Sequence, residues 1–315
     1  MKVGSTRPVL LVTGADLASE AVAILDDFDI YYAGARPSEL DLIALVQQLD
    51  PIAIIVRYGR ITPRVIDAAK SLRIISKHGS GIDTIDVEYA KQRSIVVKAA
   101  VGANATAVAE HALALLLACS KSVTTLNERT HAGHWDKSTH KSLELKDRTL
   151  GLVGLGAIGR QVADFAHAFG MKVIGYDPFA GQLPNDIELV DLETLWRTSD
   201  AISLHCPLNA ENTNLINFDT IQKMKSGVMI INTARGGLID EQALLEGLRS
   251  GKIKFAGIDS FKQEPPAQDH PFFGHPQIIL TPHIGGVSSE AYINMGCGAA
   301  RNIIEVLKMQ PAMSI

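Results

Sequence analysis

The chain has 315 residues, of which 46% are hydrophobic and 20% charged, with a formal net charge of −4 at pH 7 and a pI near 6.2. This length suits two domains of ordinary size, and the slightly acidic charge gives no general attraction to nucleic acid or to an anionic membrane. The three cysteines are too scattered for a zinc site or a disulfide framework, so we expect no metal. Because the apolar runs at 9–12 and 112–119 are too short for a signal peptide and a membrane span, we expect a cytoplasmic protein.

Short apolar segments alternate with helical patterns over the first hundred residues. One helix is expected to begin with Thr62 as its N-cap and Pro63 in its first turn, where proline is favoured. Strands that alternate with helices indicate a parallel sheet with helices on both faces. The predicted strands are 9–13, 52–56, 73–76 and 95–98, and the predicted helices are 17–25 and 63–71.

The segment at 104–122 is rich in alanine and leucine and contains neither glycine nor proline. It predicts a long helix that is apolar nearly all round, and therefore buried, connecting two domains. A second alternating series follows, which indicates a second doubly wound unit. Its predicted strands are 150–153, 172–176, 201–205, 228–232, 255–259 and 278–281, its first helix is 158–169, and the last helix of the chain is 288–309.

The first strand of this second unit leads into the glycine pattern G-L-G-A-I-G. Gly154 permits a tight turn, Gly156 lets the backbone approach a pyrophosphate, and Gly159 lets the helix pack close to the sheet. Ala157 and Ile158 stand at the N-terminus of that helix, where free backbone N–H groups attract phosphates. A strand, a glycine turn and a helix in this order predict a dinucleotide site.

An acidic residue, Asp177, ends the next strand of the same unit. In this position a carboxylate accepts hydrogen bonds from the ribose hydroxyls of the adenosine half of the cofactor. The same charge would repel a 2′-phosphate, and Pro178 and Phe179 after it offer no cation. The sequence therefore predicts NAD rather than NADP as the cofactor.

Two further strand ends supply candidate cofactor contacts. His205, Cys206 and Pro207 end one strand, and Thr233 and Ala234 begin the loop after another. In an open α/β sheet, ligands bind beyond the carboxyl ends of the strands. We therefore place these residues along the cofactor, with an ordinary strand-end turn as the alternative for 205–207.

Three polar residues follow the C-terminal strands in the order Arg235, Glu264, His283. An arginine can grip a carboxylate with two hydrogen bonds and stabilise developing negative charge. A histidine can donate a proton near neutral pH, and a carboxylate beside it favours its charged form. These are the groups needed to reduce a 2-keto acid with a nicotinamide, and only the fold can bring them together.

The motifs around these residues resemble those of the D-isomer-specific 2-hydroxyacid dehydrogenases. They are found in the family's order between residues 56 and 309, and they comprise GLGAIG with Asp177, HCPLNAENTNLI, NTARGGLIDEQAL, AGIDSFKQEPP and TPHIGG. The resemblance identifies Arg235, Glu264 and His283 as the catalytic residues. It also implies that Asp259 lies near the nicotinamide amide and that Gly285 contacts the cofactor.

The resemblance further implies an α/β protein with two doubly wound parallel sheets. A Rossmann-type NAD-binding domain, expected at 103–283, is inserted into a flavodoxin-like substrate domain, expected at 1–102 and 284–315. Family members are homodimers, so a homodimer is expected here. The C-terminal regulatory domain of many phosphoglycerate dehydrogenases is expected to be absent.

In the N-terminal half, Gly79-Ser80-Gly81 is similar to the family's loop for the substrate carboxylate. Its glycines would expose backbone N–H groups to an anion. Arg235 and His283 are expected to contact the substrate as well. Arg57 is similar to a phosphate-binding arginine of 3-phosphoglycerate dehydrogenases, and Arg60 adds a second cation. The pair suits a second anionic group on the substrate, while two solvated surface arginines remain the alternative.

The leading interpretation is an NAD-dependent reductase of a small 2-keto acid such as phosphohydroxypyruvate, hydroxypyruvate, glyoxylate or sulfopyruvate. Formate dehydrogenases share the fold, but their active site resembles one that has glutamine where this chain has Glu264. Because glutamine carries no charge to stabilise an imidazolium, Glu264 favours keto-acid chemistry. An NAD(H)-sensing binding protein like the C-terminal-binding corepressors is an alternative of another class. An inactive dimerisation module would not need the three polar residues together.

Overall fold

The computed structural model describes residues 7–181 and 187–309. The chain divides into two compact units, one formed by residues up to Asn104 and from Val287 onward, the other by Ala105–Gly286. The sequence places the first boundary after residue 102, two residues before the observed one after Asn104. It places the second after residue 283, three residues before the observed one after Gly286. The outer limits of the expected substrate domain, at 1 and 315, lie outside the described residues.

The first unit contains a five-stranded parallel sheet in the order β2-β1-β3-β4-β5. This is the flavodoxin-like order, as the predicted fold class requires. β1 and β3 are almost entirely buried because helices cover both faces, so they are continuously apolar rather than alternating. The elements are β1 (Val9–Val12), α1 (Ser19–Ile24), β2 (Asp29–Tyr32), α2 (Glu39–Leu49), β3 (Ala53–Val56), α3 (Pro63–Ala68), β4 (Ile74–Lys77), α4 (Val87–Gln92) and β5 (Val96–Ala99).

The second unit contains a seven-stranded parallel sheet in the order β12-β11-β10-β9-β6-β7-β8. Numbered from its own first strand, this is the Rossmann order 3-2-1-4-5-6 with one more strand at the edge. The predicted fold class is therefore confirmed for both sheets. The elements are α5 (Ala105–Lys121), α6 (Val123–His131), β6 (Thr149–Val153), α7 (Ala157–Ala168), β7 (Lys172–Tyr176), β8 (Glu188–Leu189), α8 (Leu192–Thr198), β9 (Ala201–Leu204), α9 (Phe218–Lys223), β10 (Val228–Asn232), α10 (Glu241–Arg249), β11 (Ile253–Ile258) and β12 (Ile278–Leu280).

The last helix, α11 (Ser289–Met309), returns to the first unit. It packs against α1 and β4 through buried small residues, among them Gly296, Ala299 and Ala300. Small side chains let the helix axis approach the sheet closely. The two ends of the first unit are joined in this way, although most of the chain separates them.

The prediction that the segment 104–122 forms a long buried helix is confirmed in part. α5 buries Ala112, Leu115 and Leu116, whereas Glu110 and Ala114 on the same helix are exposed. Composition alone does not reveal which face of an apolar helix packs. Within residues 7–181 and 187–309, no single helix is long and apolar enough to span a membrane, while α5 and α6 pass that test as a pair bent by 60°.

Other differences from the predicted elements are local. β2 was not predicted because it is an edge strand that exposes Tyr31 and Tyr32, so it lacks an apolar signature. Pro63 begins α3 and Thr62 stands at its N-cap position as expected, but the Thr62 side chain makes no capping hydrogen bond. Its hydroxyl donates instead to the carboxylate of Glu39 on α2. Most predicted strand ends differ from the observed ones by one or two residues.

Candidate active site

The turn between β6 and α7 carries the glycine pattern. Gly154 has φ +96°, which glycine adopts readily. A Cβ on Gly159 would lie 2.1 Å from the carbonyl oxygen of Gly154, so only glycine lets the helix start this close to the turn. A Cβ on Gly156 would meet no atom within 4 Å, so this backbone faces open space, as the approach of a pyrophosphate would require.

Asp177 follows β7 and is partly buried beside the same turn. Its Oδ2 accepts a hydrogen bond from the Leu155 N–H at 2.8 Å, and its Oδ1 accepts one from the Phe179 N–H at 2.9 Å. The carboxylate therefore ties the glycine turn to the end of β7. Each oxygen keeps a further acceptor site, which a ribose hydroxyl could fill.

Two polar atoms at neighbouring strand ends are buried and have no hydrogen-bond partner among the described residues. One is Nδ1 of His205, after β9, and the other is Oγ1 of Thr233, after β10. Nε2 of His205 pairs with the hydroxyl of Ser203 at 2.9 Å, and burial lowers the pKa of His205 to about 4, so the ring is neutral at pH 7. Buried polar atoms nearly always have partners. Unpartnered atoms at the carboxyl edge of this sheet fit a bound dinucleotide.

The side chain of Asn232, which is fully buried at the end of β10, fixes the loop that carries Arg235. Oδ1 of Asn232 accepts a hydrogen bond from the Ala234 N–H at 3.0 Å, and Nδ2 donates to the Arg235 carbonyl at 2.9 Å. A Cβ on Gly236 would lie 2.0 Å from the carbonyl carbon of Phe261. The loop of Arg235 therefore lies directly against the backbone that leads to Glu264.

Glu264 and His283 form a hydrogen-bonded ion pair. Oε2 of Glu264 lies 2.7 Å from Nδ1 of His283. Oε1 of Glu264 accepts a hydrogen bond from the Phe261 N–H at 3.0 Å, so the carboxylate is oriented from both ends. Both side chains are roughly 40% exposed, at 39% for Glu264 and 43% for His283. This leaves Nε2 of His283 as the nitrogen available to a ligand.

The electrostatics of the pair favour the charged histidine. The hydrogen bond to Glu264 raises the pKa of His283 and outweighs burial, which lowers it. Burial raises the pKa of Glu264, but hydrogen bonds from His283 and from the Phe261 N–H outweigh it and bring the pKa below its usual value. The positive charge of Arg235 lowers the pKa of both groups, so the structure brings all three predicted residues into one electrostatic site.

Asp259, after β11, anchors the loop that carries His283. It is 1% exposed, and its carboxylate accepts hydrogen bonds from the Thr281 hydroxyl at 2.6 Å, the Ile284 N–H at 2.9 Å and the Gly285 N–H at 2.8 Å. Burial raises the pKa of Asp259, but the hydrogen bonds outweigh it and lower the pKa to about 2. The N–H of Gly285 is therefore engaged by Asp259.

Sequence reasoning missed two residues that support the site, His111 beside Asp259 and Asn232 beneath the Arg235 loop. Nε2 of His111, on α5, lies 2.9 Å from the hydroxyl of Thr281 and 3.5 Å from Oδ1 of Asp259. The signal was a histidine within a largely apolar helix. Asn232 had a similar signal, since it is the one polar residue of the strand V-M-I-I-N.

The predicted substrate residues of the first unit lie at the carboxyl ends of β3 and β4. Gly79 has φ +128°, and the hydroxyl of Ser80 donates to Oδ1 of Asn104 at 3.2 Å. Arg57 and Arg60 differ from each other. The side chain of Arg57 is only 12% exposed and pairs with a carboxylate, whereas Arg60 is exposed.

Comparison with known proteins shows which family this chain belongs to. Residues 113–285 match the D-isomer specific 2-hydroxyacid dehydrogenase family, in its NAD binding domain. A hydroxypyruvate reductase from Thermotoga maritima is 41% identical over 269 residues, which cover 85% of this chain and 88% of that protein. The chain belongs to the D-isomer-specific 2-hydroxyacid dehydrogenases. The predicted resemblance and the predicted nicotinamide cofactor are thereby confirmed, and the protein is an oxidoreductase that uses NAD.

The relatives differ in how much of their own length this chain matches. A D-3-phosphoglycerate dehydrogenase from Archaeoglobus fulgidus is 39% identical over 263 residues, or 82% of this chain. This chain spans about half of that relative, at 50%. Among solved structures, the TT0316 protein from Thermus thermophilus superposes with a TM-score of 0.88 at 33% identity, covering 97% of this chain and 99% of that one.

The position of Asp177 leads to a prediction about the choice of cofactor by this dehydrogenase. Asp177→Asn removes the charge but keeps a side chain that can accept a hydrogen bond from the glycine turn. Because a 2′-phosphate would no longer be repelled, kcat/KM with NADPH relative to NADH should rise by about tenfold. Asp164→Asn, on the exposed side of α7, is the matched control and should leave the ratio unchanged. An unchanged ratio in Asp177→Asn would contradict the ribose contact.

Proposed function

We propose that the protein reduces a small 2-keto acid to its D-2-hydroxy acid with NADH, and catalyses the reverse reaction with NAD. The observation that carries this proposal is the 2.7 Å contact between His283 Nδ1 and Glu264 Oε2, within reach of the charge of Arg235. This reaction needs a proton donor, a carboxylate that keeps the donor charged and a cation that binds the substrate.

His283 is the proposed general acid. Its Nδ1 is held by Glu264, so Nε2 carries the proton that passes to the carbonyl oxygen of the keto acid. NADH, when bound, supplies the hydride to the carbonyl carbon. In the reverse direction the neutral ring accepts the proton of the substrate hydroxyl, and Glu264 stabilises the imidazolium that forms.

Arg235 is proposed to bind the substrate carboxylate and to stabilise the negative charge that develops on the keto oxygen. Asn232 fixes the backbone on either side of its loop, so the guanidinium starts from a defined position. The Gly79-Ser80-Gly81 loop, in the first unit, is proposed to offer backbone N–H groups to an anionic group of the substrate, as its family resemblance suggests.

The names of the relatives narrow the candidate substrates to small acids such as hydroxypyruvate and phosphohydroxypyruvate, with glyoxylate and sulfopyruvate as further members of the class. We also propose that the protein acts in the cytoplasm as a homodimer, which the family resemblance suggests. Sedimentation equilibrium tests the dimer, and a monomer at working concentration would contradict it.

NADH oxidation at neutral pH with these four acids tests the proposed function. At least one acid should be reduced with a D-2-hydroxy acid as product, while the corresponding hydroxy acids with NADH serve as controls that cannot react. Loss of turnover on every acid, with NADH still bound, would contradict the proposal and favour an NAD(H)-sensing protein.

A further inference from the structure

Two charged residues flank the topological switch point of the first sheet. From β1 the chain proceeds to β2 on one side, and from β3 it proceeds to β4 and β5 on the other. Open α/β sheets bind ligands at the carboxyl ends of strands beside such a point. Asp16 lies in the loop after β1 and Arg57 directly follows β3, so they lie on either side of it.

Arg57 is engaged before any ligand arrives. Its Nη1 donates to the backbone oxygen of Asp16 at 2.6 Å and also to the Asp16 carboxylate. The rings of Tyr292 and Tyr58 lie 5.0 Å and 5.4 Å from the guanidinium carbon, close enough for cation–π contact. The hydroxyl of Tyr292 donates to the same carboxylate oxygen at 2.9 Å. The carboxylate of Asp16 is thus fixed beside the guanidinium by two donors.

Among the ionisable groups around Arg57, His78 is neutral and Lys77 is hydrogen-bonded, whereas the Asp16 carboxylate is exposed to solvent. The ring of His78 lies 5.6 Å from that of Tyr292, tilted by 49°. Burial, followed by the charge of Arg57, lowers the pKa of His78 to about 4, so it is neutral at pH 7. Lys77 donates its Nζ to the Arg57 carbonyl at 3.2 Å. Asp16 is 68% exposed, and Oδ2 of its carboxylate has no partner within residues 7–181 and 187–309.

These residues lie next to the proposed carboxylate loop. Gly79-Ser80-Gly81 follows β4, which is hydrogen-bonded to β3, and β3 is hydrogen-bonded to β1. Since neighbouring strands are about 4.8 Å apart, Arg57 and Asp16 lie roughly one and two strand spacings along the sheet edge from this loop. The distal end of a small keto acid held there by its carboxylate would point along this edge toward Arg57, the nearer of the two residues.

We propose that Asp16 is a specificity-determining residue, which occupies Arg57 and thereby excludes a second anionic group from the distal end of the substrate. The enzyme then takes monoanionic 2-keto acids. This inference rests on the proposed function. It reverses the sequence-based expectation that Arg57 and Arg60 suit a dianionic substrate.

The test compares kcat/KM for hydroxypyruvate and for phosphohydroxypyruvate, which differ only by the distal phosphate. The wild-type enzyme should prefer hydroxypyruvate by at least about tenfold, and added salt should narrow this preference because it screens the repulsion. Asp16→Asn keeps the size of the side chain and should shift the ratio toward the phosphorylated acid by about tenfold. Tyr292→Phe, which keeps the ring over Arg57, should shift it less in the same direction.

Asp26→Asn is the matched control, because it removes an exposed carboxylate that precedes β2, at the opposite edge of the same sheet. It should leave both the ratio and its salt dependence unchanged. A wild-type preference for the phosphorylated acid, or an unchanged ratio in Asp16→Asn, would overturn the inference alone. Absence of turnover on either acid, with NADH bound, would overturn the proposed function and this inference with it.

Discussion

His283→Asn should lower the turnover of the keto acid by about 10²–10⁴-fold, because it removes the general acid. Asparagine is the informative replacement. His283 has φ +54°, a left-handed conformation that asparagine tolerates better than alanine does. The variant should therefore keep the loop and lose only the proton donor. Steady-state rates with saturating NADH measure the effect.

NADH affinity, followed by the fluorescence of the bound cofactor, is the control for His283→Asn and should be nearly unchanged. The glycine turn and Asp177 are not contacts of His283, so its loss leaves them in place. Wild-type turnover in the variant would show that another group protonates the substrate.

Glu264→Gln should reduce the rate of keto-acid reduction at neutral pH by about tenfold to a hundredfold. The amide keeps an oxygen that can accept from the Phe261 N–H, so the loop should stay in place. The charge that keeps His283 protonated is lost, and a smaller share of the enzyme carries the proton. The effect is smaller than that of His283→Asn because the donor itself remains. Initial rates at pH 7 and a thermal unfolding curve separate this result from a loss of folding.

The positions of Arg235, Glu264 and His283 at strand ends could be predicted from the sequence, because each follows a short apolar strand. In a parallel sheet those ends share one edge, and a common site then follows from topology. The sequence could not give the 2.7 Å contact between Glu264 and His283, which depends on the paths of two loops. The chemistry of a carboxylate and a histidine, together with the family resemblance, suggested the pair but not its geometry.

The cluster around Arg57 could not be predicted, because its members are far apart in the chain. Asp16 and Tyr292 are separated by 276 positions and meet only because α11 returns to the first unit. Arg57 and Arg60 look alike in the sequence, whereas the structure gives one a carboxylate and two rings and leaves the other exposed. The exposed positions of α5 could not be predicted for a related reason, since the sequence of a largely apolar helix does not show which face packs against the rest of the protein.

The pH dependence of kcat/KM for keto-acid reduction, in the wild-type enzyme and in Glu264→Gln, tests the proposed proton donor most directly. Reduction needs protonated His283, so the rate should fall as the pH rises through the pKa of that residue. In the wild type the midpoint should lie above about 6.5, the ordinary value for histidine, because Glu264 raises this pKa. In Glu264→Gln the midpoint should move to lower pH. The same midpoint in both enzymes, or a wild-type midpoint below the ordinary value, would contradict the Glu264–His283 pair as the proton donor.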